Sequence, residues 1–197
     1  MLKIFKKDGQ NLPRLKWQSR LYGALITAGG LLLVIVILAA IKVTPFAVYE
    51  SRTLGFRIKY PELWQVIEQP QGVEAVIFVS PAENEADEYR ENVNVTTAAV
   101  NYGTRTLDAF TATTIRQLTG LFEENIEVLQ SRPYSMGGRP GHLLVFSGKS
   151  VGEPAQYLHV WCIAGTKAYI ITYTALKKDF DRHFRDVLDM VKSFRLL

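Results

Sequence analysis

A chain of 197 residues, 48% hydrophobic with a formal charge of +4, has room for one ordinary domain and one extra element. The basic balance does not point to nucleic acid, because six of the 23 Lys and Arg precede residue 21 with only Asp8 against them, and the remainder is near neutral. The lone Cys162 excludes an internal disulfide, and between Trp161 and Ile163 it reads as a buried thiol rather than a nucleophile.

Residues 1–20 form a basic arm. From Leu21 to Ile41 no residue is charged and twelve are Leu, Ile or Val. That length matches the ~20 residues a helix needs to cross a bilayer. Central aliphatic residues at ~0.3–0.6 kcal/mol each favour insertion by about 4–7 kcal/mol before small residues subtract. The apolar region of a cleaved signal is ~7–15 residues long and ends in small residues, which "ILAAIKVTP" does not supply. The expectation is an uncleaved transmembrane helix over 21–42. The arm keeps the N-terminus cytoplasmic, so 43–197 is expected to be an extracytoplasmic domain.

That domain opens with "TPFAVYESRTLGFRIKYPELWQVIEQPQG". Phe56, Ile58 and Tyr60 alternate with Arg57 and Lys59, the period of a half-buried strand. Pro61 has no amide hydrogen to continue a ladder, so a corner is predicted there, with Trp64 turned back as a core plug. "WQVIE" and "VEAVIFVSP" predict two further strands. Glu83, Glu85, Asp87, Glu88 and Glu91 then crowd one segment. With no glycine and no EF-hand spacing they read as a solvated acidic loop rather than a cation site, and they are the candidate partner-contact residues.

"VNVTTAAV" predicts a strand, and Thr106 a cap for a helix with Leu107, Phe110, Ile115, Leu118 and Phe122 near one face. "IEVLQSRPYSMGG" and "PGHLLVFSGKS" predict two strands joined at Gly137 and Gly138. "QYLHVWCIAGTKAYIITYTAL" predicts a hairpin turning at Ala164–Thr166, apolar on both faces and therefore central. His159, on the face of Tyr157 and Trp161, reads as a packed, hydrogen-bonded histidine. Phe180, Phe184, Val187, Leu188 and Val191 form the apolar stripe of a closing helix. The fold class is α+β: an antiparallel sheet flanked by helices, plus the N-terminal transmembrane helix.

"YESRTLGFRIKYPELWQV", "VIFVSP" and "ENVNVTTAAV", in that order, resemble the opening of a PsbP-type domain, the extrinsic photosystem II protein family. "SMGGRPGHLLVFS" is similar to that family's glycine-containing hairpin, and "KAYIITYTALKKDFDRHFRDVLDMVKSF" to its closing strand and helix. The resemblance covers residues 47 to 195. It implies an α/β/α sandwich in a thylakoid lumen or periplasm and a binding or assembly role on a photosynthetic membrane complex. The retained helix departs from soluble or lipid-anchored relatives.

The expected function is a membrane-anchored, non-catalytic accessory or assembly protein that binds a membrane protein complex, a photosystem being one candidate. The alternative is an exported small-ligand or metal-binding module. Neither a catalytic residue nor a metal ligand or cofactor is assigned. The expected partners are that complex and the lipid bilayer through 21–41, with no nucleic acid.

Overall fold

The computed structural model describes residues 44–70, 74–85, 87, 89–122, 125–148 and 153–197. The expected basic arm and transmembrane helix lie outside the described residues, as does Glu88. Among the described residues, no helix is long and apolar enough to cross a membrane. Thr44–Leu197 forms a compact unit.

The unit begins with an antiparallel hairpin of β1 (Phe46–Ser51) and β2 (Phe56–Pro61). Phe56 and Ile58 are buried while Arg57 and Lys59 are exposed, as the alternation requires. The strand stops at Pro61, whose carbonyl accepts the Trp64 amide at 2.9 Å and closes a tight turn. Leu63 is thrown into solvent, while Trp64 is 5% exposed. The corner has a larger consequence than the sequence indicated. After it, β3 (Gln65–Glu68) leaves the first sheet and becomes the edge of a second.

The expected single sheet is therefore two. The smaller has the order β1-β2-β10, where β10 (Arg195–Leu196) is the end of the chain. The larger adds β4 (Ala75–Val79), β5 (Asn92–Ala99), β6 (Ile126–Met136), β7 (Arg139–Gly148), β8 (Ala155–Ala164) and β9 (Lys167–Leu176). Its order is β3-β4-β5-β9-β8-β7-β6, with every neighbouring pair antiparallel. β8 and β9 sit inside it, as their apolar faces demand. β6 is an edge, which tolerates Pro133 in mid-strand.

The turns follow from their glycines. Gly137 and Gly138 both have positive φ (60° and 82°), as a two-residue type I′ hairpin needs. A Cβ on Gly137 would lie 2.3 Å from the Phe194 carbonyl, so glycine also lets the closing segment approach. Gly165 at φ 63° leads the two-residue turn between β8 and β9, the glycine position of a type II′ turn.

Helix α1 (Leu107–Leu121) is capped by the Thr106 hydroxyl, which accepts the Ala109 amide at 3.2 Å. Phe110 and the C-terminal Phe122 pack with Leu144, Phe146, Trp161 and Ala168 on one face of the large sheet. Helix α2 (Phe180–Ser193) covers the other face through Val187, Met190 and Val191, joined there by Phe56, Ile58 and Trp64 of the small-sheet segment. The order of layers is α1, large sheet, then α2 beside the small sheet. Among the described residues the fold is α+β, with two antiparallel sheets and two α-helices.

Candidate functional site

The acidic segment is the loop joining β4 to β5, and its neck is closed twice. Ser80 donates its amide to the Glu91 carbonyl at 2.8 Å and its hydroxyl to the Glu91 carboxylate at 2.8 Å. Glu91 is 2% exposed. A carboxylate taken out of water needs donors and positive charge around it. The Ser80 hydroxyl is the donor, and the first turn of α2 brings the charge: Arg182 Nη1 lies 3.6 Å from one oxygen, with the imidazole Nε2 of His183 3.8 Å from the other.

Arg182 holds more than Glu91. It pairs with Asp179 at 3.0 Å and with Glu83, farther out along the loop. Glu83 in turn donates its amide to Asp87 Oδ2 at 3.0 Å, so Asp87 braces the loop from within. The structure thus brings Glu83 and Glu91 together on one guanidinium. Glu85 points outward as an exposed carboxylate, and Tyr89 beside the loop is exposed too.

The reading of all five acidic residues as solvated fails at Glu91. Sequence spacing places it in the loop, but β5 begins at Asn92 and draws the preceding residue into the core edge. Ser80, Arg182 and His183 were not singled out from the sequence. The available signal was the pair Asp179 and Arg182 at i, i+3 on the wet side of the closing helix, an acid–base pattern that needs the fold before it points anywhere.

Other chemistry-bearing groups are occupied by packing. Cys162 is fully buried, and burial pushes its thiol up to about 11 despite the opposing charge of Arg139. A thiol held protonated is a poor nucleophile. His159 packs edge-on against Phe146 at 5.2 Å, but the expected hydrogen bond is absent at Nδ1, which is sealed from solvent without a partner. Burial holds its pKa down at about 4, so the ring is neutral. Among the described residues, no group of three or more His, Cys, Asp or Glu is placed to hold a metal ion.

A pocket of about 320 Å³ opens between the β1–β2 turn and the β3–β4 connection, with Tyr49, Arg52, Glu68 and Glu74 among its walls. Tyr49 donates its hydroxyl to Glu68 at 2.8 Å; burial, then that carboxylate, push the phenol up to about 12. The phenol stays protonated, its hydroxyl engaged by Glu68.

The family model for PsbP matches residues 44–196. The chain belongs to the PsbP family. No curated protein sequence matches it. Among solved structures, the PsbP domain is similar to the cyanobacterial PsbP (CyanoP) of Synechocystis sp. PCC 6803, at 16% identity and a TM-score of 0.57 over 80% of this chain and 96% of that one. It is also similar to the Saccharomyces cerevisiae Ran-binding protein Mog1p, at 13% identity and a TM-score of 0.56 over 78% and 96% of the two chains. LpqN of Mycobacterium tuberculosis, involved in cell envelope biogenesis, matches at 9% identity and a TM-score of 0.50 over 77% and 90%. At these identities the likeness is one of fold. Within the PsbP domain of this chain, Arg182 ties the acidic loop to helix α2.

Proposed function

We propose that the protein is a membrane-tethered, extracytoplasmic, non-catalytic accessory or assembly protein whose PsbP domain binds a membrane protein complex. The observation that carries this reading is the PsbP match across 44–196. The uncharged segment 21–41 is the tether, and the basic arm before it leaves the domain in a thylakoid lumen or periplasm. A photosystem is the complex that family membership suggests. The likeness in fold to CyanoP and to the Ran-binding protein Mog1p supports a protein-binding use of this scaffold.

The clamped loop is the proposed contact. A loop held by ion pairs presents Glu83, Glu85 and Asp87 with less ordering to be lost on docking than a mobile one. Tethering raises the effective concentration of the domain at the membrane, so weak contacts suffice. Purification from native membranes in mild detergent tests the reading. Subunits of one membrane complex should co-purify with the wild-type chain. Recovery of the chain alone, with a bound metal or small molecule, would favour a ligand-binding module instead.

A further inference from the structure

The outer face of the small sheet carries an uncompensated positive charge. Cross-strand pairing places Val48 beside Lys59 and Arg57 between Glu50 and Arg195, so these side chains share the face turned away from the core. Arg57 and Arg195 stand directly opposite, an arrangement that like charges disfavour. The only carboxylate in that row, Glu50, lies 3.6 Å from Arg52. Among the described residues, neither Arg57 nor Lys59 has an ion-pair partner. Lys192, at the end of α2, joins the patch with its own partner Asp189 at 2.8 Å. Val48, 62% exposed, lies amid the cations in a groove of about 360 Å³ lined also by Arg57, Lys59, Ser193 and Arg195.

An adjoining groove is lined by Phe46, Lys59, Asp189, Lys192 and Ser193. Phe46 opens β1, five residues after Ile41 ends the uncharged segment. Five residues reach at most ~18 Å, so a bilayer span ending at Ile41 would hold Phe46 within that reach. We propose that this face docks on anionic lipid headgroups, with Arg57, Lys59, Lys192 and Arg195 taking phosphate charge and Val48 entering the interface. The inference rests on the reading of 21–41 as a bilayer span, which supplies the lipid surface. Each Lys or Arg near an anionic leaflet strengthens binding about five-fold, and the attraction falls within a Debye length.

The test uses the Thr44–Leu197 domain, which has its own two cores, and sedimentation with vesicles of phosphatidylcholine alone or with added phosphatidylglycerol. Binding is expected only with phosphatidylglycerol, weakening as salt rises. Arg57→Gln with Lys59→Gln should weaken it about 25-fold, while Arg116→Gln, exposed on α1 across the large sheet, leaves it unchanged. Circular dichroism and melting confirm that each variant is folded. Alkaline extraction of the full chain from membranes tests the span separately. A chain that resists extraction while its domain ignores phosphatidylglycerol, or loses binding equally with Arg116→Gln, overturns the lipid-docking face but leaves the tether standing.

Discussion

The indole of Trp64 meets the imidazole of His183 edge to face, with ring centroids 5.2 Å apart and planes at 88°. One contact thus joins the corner between the two sheets to the basic turn that clamps the acidic loop. Trp64→Ala would empty a large volume at this junction and should destabilise the domain by about 3–5 kcal/mol, read from urea unfolding. A shift within error would place Trp64 outside the core. The same change should also loosen the loop, seen as faster amide exchange between Ser80 and Glu91.

The acidic residues should separate into two classes by stability. Glu85→Gln alters an exposed charge and should move the unfolding free energy by less than about 0.5 kcal/mol. Glu91→Ala removes the acceptor of the Ser80 hydroxyl and the anion beside Arg182 and His183. A cost of about 1–3 kcal/mol is expected, less than for a sealed ion pair because Arg182 keeps water and Asp179. Equal, small effects at both positions would contradict the clamp.

Calcium or manganese should leave the melting temperature of the domain unchanged. A cation bound at ~100 times its dissociation constant would add about 2.7 kcal/mol, which calorimetry resolves easily. Asp87 is already engaged by the Glu83 amide. A saturable shift that Asp87→Asn abolishes would show instead that the loop is a cation site.

How much of this was legible follows the reach of each signal. Alternation found β2, the cap at Thr106 found α1, and the Gly137–Gly138 and Gly165 turns found their hairpins, because each signal is local. That β3 changes sheets was not legible. Pro61 and Trp64 announce a corner, but which edge receives the chain depends on β4, whose pairing is set by the rest of the large sheet. β10 was missed because two residues carry no period. Glu91 was misread for a different reason: its partners Arg182 and His183 are distant in sequence and reach it only through α2.

Acid should weaken the fold through His159. Its folded pKa, held down near 4 by burial, lies below the ordinary value of 6.5. The unfolded chain therefore takes up the proton first as pH falls. Stability is fully present above about 6.5 and is lost progressively toward pH 4. His159→Leu should flatten that decline in urea midpoints measured across the window. Some slope should remain from His142, which burial also holds below its ordinary value. An unchanged decline would mean that His159 is protonated in the fold.

The contact itself can be probed in the native membrane with a photoactivatable residue at position 85, the exposed carboxylate of the clamped loop. Irradiation is predicted to link Glu85's position to one or a few subunits of a membrane protein complex, more weakly as salt rises. The same probe at Lys167, on the turn between β8 and β9, is predicted to give none of these products. Products at position 85 that match those at 167, or no protein product at all, would contradict a partner held by the acidic loop.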